Sequence, residues 1–558
     1  MDPKTISDLK THIAELHRQG EERQAQRLAN QLGYSYVDLT KTPVSVEAVR
    51  VIPEKEAKEA KLVATELKVK KLAVAALNPK IPATQKAIKD LEAKKYEVKI
   101  FITSLSGLEK AWEFYKFVKP ELEGITGKVI IAEKAVEDFA AKLVNFAAIK
   151  SELGKLDFTK STQTSIIETI LGGAMALKAS DIHLESSDKE GKLRLRVDGV
   201  LHDVFGGFPE DFYGRLVSRI KLLSGLKINI KDAAQDGRFT INLGKREIEI
   251  RVSIIPAEFG ENVVMRLLDP NLTSIGLSQL GLREDDLVIV EREIAKPNGL
   301  ILNTGPTGSG KTTTLYAFLR HINNPEIKII TLEDPIEYRL EGVEQTQVDE
   351  ESGYTFVNGL RAIVRQDPDV ILVGEIRDKD TADIALQASL TGHLVLSTLH
   401  TNDAIGAIPR LINLGANPSA IGPALNLIIA QRLVRLFCEN CKKEKVVSPE
   451  LRVKIENFLK DLPARVDRSK YNVYKIYEAV GCEKCNNIGY KGRVGIFEFF
   501  EDNPEIEESI LKESSEVSLG RLSEKQGMVT MQEDGILKAL QGVTSFEEVE
   551  GATGKIDL

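Results

Sequence analysis

Leu300-Ile301-Leu302-Asn303-Thr304-Gly305-Pro306-Thr307-Gly308-Ser309-Gly310-Lys311-Thr312-Thr313 is the stretch whose reading decides the fold. Leu300 to Asn303 reads as a short apolar strand, Gly305 to Thr312 fills the whole Gly-x4-Gly-Lys-Thr pattern, and Thr313 to His321 continues as a helix. Glycines let backbone N–H groups converge on phosphates unobstructed, and the helix N-terminus adds partial positive charge. Lys311 is placed to reach β- and γ-phosphates, and the Thr312 hydroxyl suits Mg²⁺. Gly305, Pro306, Thr307, Gly308, Ser309, Gly310, Lys311, Thr312 and Thr313 are therefore the expected binding residues for ATP with Mg²⁺. A chance glycine-rich turn would not carry a strand before it and a helix behind it.

Three more apolar runs follow this loop, each ending in or bracketed by groups suited to phosphoryl chemistry. Ile327 to Leu332 ends in Glu333-Asp334-Pro335-Ile336-Glu337. Val370 to Val373 ends in Gly374-Glu375, then Arg377 and Asp378, and Leu394 to Leu399 lies between His393 and His400. Strands alternating with helices read as a parallel α/β sheet, in which ligands bind outside the carboxyl ends of the strands. All these groups are therefore expected around one crevice beside Lys311, with a carboxylate to orient the attacking water. Taken singly, each has a plainer reading: a helix cap, a solvated charge, a structural histidine. Gly374 stands where many phosphate-loop enzymes place Asp, so Glu375 is expected to act on the metal through water.

The 558 residues allow two to four domains, and a net charge of −8 with a single Trp weighs against a dedicated nucleic-acid motor. No run approaches the ~18 apolar residues that cross a bilayer, and Met1 to Gly20 lacks a signal-peptide core. A cytoplasmic location is the expectation. Residues 1–145 read as a small α/β domain, with strands in Lys61 to Leu77, Val69 included, and a helix over Thr84 to Lys95. A linker near Val136 to Leu156 is expected to close it. Residues 160–272 open with a helical pattern (Ile166, Ile167, Ile170, Leu171, Met175). They continue with period-two alternation (Leu193, Leu195, Val197; Ile248, Ile250, Val252), which predicts an antiparallel sheet with one buried face. Residues 275–558 carry the phosphate loop.

All four cysteines form two Cys-x-x-Cys knuckles, Cys438/Cys441 and Cys482/Cys485. In a cytosolic chain this pairing predicts a closed four-thiolate structural Zn²⁺. The balanced charges around it favour a protein-docking surface over a nucleic-acid contact.

In combination these motifs resemble the type IV pilus assembly and type II secretion ATPases. Thr331 to Tyr338 resembles that family's Asp box, Leu360 to Asp378 its arginine segment and atypical Walker B, and Thr391 to Ala404 its His box. Ala179 to Glu185, Arg196 to Gly199, Gln235 to Arg238 and Arg251 to Ser253 resemble the domain that precedes its ATPase core. The resemblance implies a RecA-like core, a preceding α+β (PAS-like) domain, a zinc-binding insertion over 436–492 and an N-terminal α/β docking domain. It implies a homo-hexameric motor, peripheral at the inner membrane and working with a platform protein, that powers pilin assembly or its secretion counterpart. Pilin assembly is the preferred expectation. Arg251 and Arg266 are implied to reach the phosphates from the preceding domain. Glu333 is the first choice to activate water, Glu337 the second, with Glu375, His393 and His400 in support. For Arg361, Arg365 and Arg377, phosphate contact and ion pairing stay equally open. The Arg-Leu-Gly repeats of cyclic-dinucleotide binders are not evident, so no such ligand is expected.

Overall fold

The computed structural model describes residues 3–42, 44–49, 51–68, 71–93, 96–116, 128–130, 142–159, 162–243, 246–269, 275–512 and 515–556. Val69, Lys95, Ser161 and residues 136–141 of the expected linker lie outside them. Two compact units, Met1–Thr126 and Gly127–Leu558, divide the chain.

In the first unit, β1 (Ser35–Tyr36), β2 (Leu62–Lys68), β3 (Lys71–Ala76) and β4 (Glu97–Ile102) form one sheet in the order β1-β4-β3-β2. β2 and β3 pair as an antiparallel hairpin, and β3, β4 and β1 run parallel. Parallel neighbours need a crossover, which the helix Pro82–Ala93 supplies between β3 and β4. Val63, Val74 and Ala75 of the sheet are buried with Leu91 and Leu108 of the helices.

The second unit holds two large sheets. The first joins β5 (Lys128–Ile130), β6 (Asp181–Ser186), β7 (Glu190–Val197), β8 (Val200–Pro209), β9 (Gln235–Leu243), β10 (Arg246–Ala257) and β11 (Gly260–Leu268), in the order β5-β9-β10-β11-β6-β7-β8. From β9 to β8 every pair is antiparallel. Its alternating residues Leu193, Leu195, Ile248, Ile250 and Met265 are buried beneath the helices Gln163–Ala176 and Glu210–Leu223. The opposite face is left for polar side chains. Where described, the stretch expected as a linker is the helix Phe146–Gly154, and its Ile149 and Leu153 are fully buried in this same core. Those two apolar side chains, one turn apart, convert a Lys/Glu-rich segment into a packing element.

The other large sheet comprises β12 (Gly299–Thr304), β13 (Ile329–Glu333), β14 (Glu344–Gln347), β15 (Val370–Val373), β16 (Leu394–Leu399) and β17 (Leu425–Phe437). After the small hairpin β18 (Lys443–Val446) and β19 (Lys475–Glu478), β20 (Tyr490–Glu501) closes its edge. The order is β14-β13-β15-β16-β12-β17-β20, parallel except for β20. β12, β13, β15 and β16 are buried at every residue, as parallel strands covered by helices on both faces must be. Between β17 and β20 the helix Pro449–Asp461 contributes Ile455 and Leu459 to a separate small core shared with Leu537 and Leu540.

Candidate active site

β12 ends in the phosphate loop, and the helix Lys311–Ile322 starts directly behind it. Gly310 takes φ 94° and Gly305 φ 149°. A Cβ on Gly305 would lie 2.6 Å from the Gln431 carbonyl oxygen, so only glycine lets β12 turn there. Lys311 is 9% exposed, and its Nζ donates to the carbonyls of Gly305 (2.7 Å) and Pro306 (3.2 Å). Burial pulls its ammonium below the ordinary lysine value; Glu375 opposes that shift and Arg432 adds to it.

The carboxylates differ sharply in their surroundings. Glu333 is buried, and its carboxylate accepts from Tyr316 Oη, from Thr331 Oγ1 at 2.5 Å and from Gln345 Nε2 at 3.2 Å. Burial pushes its pKa up against these three donors. Three donors leave this carboxylate little capacity for a water. Glu337 lies on the same loop, half-buried, and meets Arg251 Nη1 at 3.3 Å. Glu375 is paired with Arg377, and its other oxygen lies 3.6 Å from His400 Nε2. Arg377 also reaches Asp334 at 3.8 Å. Gly374 has a packing reason: a Cβ there would lie 3.2 Å from the Leu332 carbonyl oxygen of β13. Burial, and then Lys311, pull the His400 imidazole below its ordinary pKa.

Facing these strand ends is a row of charge that register creates. Arg238 pairs with Arg251, Arg251 with Arg266, Arg266 with Asp181, and Asp181 with Arg196, across β9, β10, β11, β6 and β7. Cross-strand partners share a face, and like charges placed opposite one another repel. Carboxylates offset that repulsion. Buried Asp181 accepts Arg266 Nε at 2.9 Å and lies 3.6 Å from Arg196, while Glu249 accepts Arg251 Nε at 3.2 Å. Arg251 Nη2 also donates to the Ile336 carbonyl at 2.7 Å. A cavity of about 840 Å³ lies between the row and the strand ends, lined by Lys311, Thr312, Glu333, Glu337, Glu375, Arg266 and Arg196 among others. That is ample for a nucleotide-sized ligand.

One expectation needs correction. His393 does not face this crevice: it precedes β16, at the amino end of the sheet, and its Nδ1 lies 3.0 Å from the Ala388 carbonyl. A strand of six residues carries its two ends ~20 Å apart, so only the histidine after β16, His400, reaches the cavity. Of the open arginines, Arg377 is ion-paired, while Arg361 and Arg365 are exposed and outside the cavity. Asp181, Arg196, Arg432 and Arg493 were not singled out for the site in the sequence. All but Arg432 line the cavity, and Arg432 Nη2 donates to the Asn402 carbonyl in the loop after His400.

The four cysteine Sγ atoms lie within 4.8 Å of one another, with the pairs Cys438/Cys482, Cys441/Cys485 and Cys482/Cys485 at 3.9, 3.8 and 3.8 Å. A tetrahedral ion with Zn–S bonds of ~2.3 Å needs sulfurs about 3.8 Å apart, so the donor set fits Zn²⁺.

A phosphate loop on a parallel sheet, with carboxylates at the neighbouring strand ends, defines a nucleotide hydrolase of the P-loop class. The chain matches the family described as "Type II/IV secretion system protein" over residues 159–551 and belongs to it. It is 46% identical over 392 residues to "Type II secretion system protein E" of Pseudomonas aeruginosa, covering 69% of this chain and 74% of that one. It is 36% identical over 531 residues to "Type IV pilus assembly ATPase PilB" of Myxococcus xanthus, covering 94% of this chain and 90% of that one. The fold is also that of the Legionella pneumophila ATPase DotB, with a TM-score of 0.52 at 22% identity over 71% of this chain and 97% of that one. The protein is an ATPase of this family.

Proposed function

We propose that the chain is the ATP-driven motor of type IV pilus assembly, acting as a cytoplasmic homo-hexamer on an inner-membrane platform protein. The observation that carries this is the alignment with the pilus assembly ATPase, which runs through 94% of the chain and so includes the N-terminal unit. The type II secretion counterpart is the second reading, favoured by the 46% identity across the core. Among the described residues no helix is long and apolar enough to cross a membrane, which is consistent with attachment through partners.

In this reading Lys311 and the amides of Thr307 to Thr313 bind the phosphates, and Thr312 with Glu375 would hold Mg²⁺. The ion, when bound, neutralises charge on the phosphoryl oxygens. Glu337 orients the attacking water, because Glu333 is committed to Tyr316, Thr331 and Gln345. Arg266 meets the γ-phosphoryl charge, and Arg251 holds the Glu337 loop against the antiparallel sheet. Residues 160–272, PAS-like in this reading, close over the RecA-like core 275–558 and reopen after hydrolysis, and that rotation moves the pilin through the platform. Zn²⁺ on Cys438, Cys441, Cys482 and Cys485 is structural. The N-terminal unit, Met1–Thr126, docks a partner and binds no cyclic dinucleotide; tight calorimetric binding of one to the full chain would overturn that.

The test is a cell lacking this chain, complemented with wild type or with Lys311→Ala. Loss of surface pili with secretion intact supports the first reading. Loss of exported enzymes with pili intact transfers the role to secretion.

A further inference from the structure

The antiparallel sheet touches the core at a second place, far in sequence from the phosphate loop. Its own helix Phe146–Gly154 is N-capped by Asn145, whose Oδ1 accepts from Ala148 N at 2.8 Å. The first amides of a helix have no partner within it. The Phe146 amide finds one 340 residues away, donating to Asn486 Oδ1 at 2.7 Å. Asn486 directly follows Cys485 and sits in the left-handed region at φ 54°. The helix cannot shift alone, since Ile149 and Leu153 are fully buried and the Phe146 ring lies 5.0 Å from His202.

A second bond lies beside it. Asp198, at the β7–β8 turn, accepts the Gly492 amide on Oδ2 at 2.7 Å. That amide is available because the β17–β20 ladder slips between Arg435 and Phe437, leaving Gly492 in an irregularity without a ladder partner. The flanking Gly199 and Arg493 both line the nucleotide cavity. From the cysteines to this point the backbone is continuous and tied. Gly489 N donates to Cys485 Sγ at 3.3 Å, and Cys438 N donates to the Gly489 carbonyl at 2.9 Å.

We propose that the four-cysteine knuckle is a latch that seats the arginine-bearing sheet on the core through Asn486 and Gly492, and so governs how Arg266 is presented to the phosphate loop. The clause about Arg266 rests on the reading of that residue as phosphate-facing; the latch itself does not. Asn486 and Asp198 are positioning residues and touch no nucleotide. A metal held by four thiolates fixes the height of Asn486 and of the first turn of β20; without it both contacts loosen together.

Hydrogen–deuterium exchange on the full chain tests this, with zinc bound, with zinc stripped by a chelator, and in Asn486→Gly and Asn486→Asp with zinc bound. Glycine tolerates the left-handed backbone but removes the acceptor, whereas aspartate keeps it. Stripped protein and Asn486→Gly should exchange the peptides carrying Phe146 and Gly492 about two- to ten-fold faster, the worth of a hydrogen bond or so. ATP kcat/KM should fall by a similar factor, and Asn486→Asp should restore both. Unchanged exchange at Phe146 in Asn486→Gly, with zinc content and unfolding midpoint retained, overturns the latch. Faster exchange combined with normal turnover in Arg266→Ala would uphold the latch and instead remove Arg266 from the chemistry.

Discussion

Lys311, Glu333 and Glu375 stand at or just beyond the ends of parallel strands, whereas Arg238, Arg251, Arg266 and Arg196 stand within antiparallel ones. A group at a strand end is delivered by connectivity: every parallel strand ends on the same edge, so a short motif following each is enough. A group within a strand is delivered by register, and a slip of one residue in any of these strands would turn its member of the row into the apolar core. The parallel sheet is thus tolerant in how it meets the nucleotide, and the antiparallel sheet is exacting. Its arginines also need Asp181 and Glu249 to coexist.

Lys311→Ala should break the strand-end half outright, lowering phosphate release about 10²- to 10³-fold, the scale of losing a central electrostatic stabiliser. Within that half, Glu337→Gln should lower kcat by about 10²-fold or more while nucleotide binding persists. Glu333→Gln, which disturbs the Tyr316, Thr331 and Gln345 bonds, should act mainly on the unfolding midpoint. The reverse result would return the water-activating role to Glu333. For the register half, Arg266→Lys keeps the charge but not the planar fork, and should lower kcat about ten-fold with little change in KM. Equal activity would mean that only charge counts and that the row's geometry is incidental.

The smallest effect concerns the far edge of the parallel sheet, beyond β20. Burial, with the Glu507 charge and hydrogen bond adding to it, pushes the Asp502 pKa from 3.8 up to about 7. The folded state then binds this proton more tightly than the unfolded one. Stability from the group is complete below the unfolded value and is lost as pH rises through the folded value. Asp502→Asn should therefore match wild type near pH 4 and exceed it by about a few °C in Tm above pH 7, the partial exposure limiting the gain. Turnover should not change, since this edge is opposite the phosphate loop. A matching change in kcat would show that the two edges are coupled.

The centre of the parallel sheet was legible because β12, β13, β15 and β16 are buried at every residue and each ends in a recognisable motif; β15 and β16 run as read, Val370–Val373 and Leu394–Leu399. His393 misled because flanking a strand is symmetric in sequence and directional in space. The helix Phe146–Gly154 was hidden among lysines and glutamates, since two buried side chains decide its fate and neither makes a periodic run. Asp181 looked like one residue of a motif, and its hold on two arginines required β6, β7 and β11 to be neighbours.

By itself the sequence determined the phosphate loop, the strand-end carboxylates and the thiolate set, because each is a local spacing whose chemistry follows from residues close along the chain. Only the tertiary structure decided which glutamate is buried among three donors, which histidine reaches the cavity and which arginines stand in one row. Those depend on strand order, direction and register, which are set by packing among residues up to hundreds of positions apart.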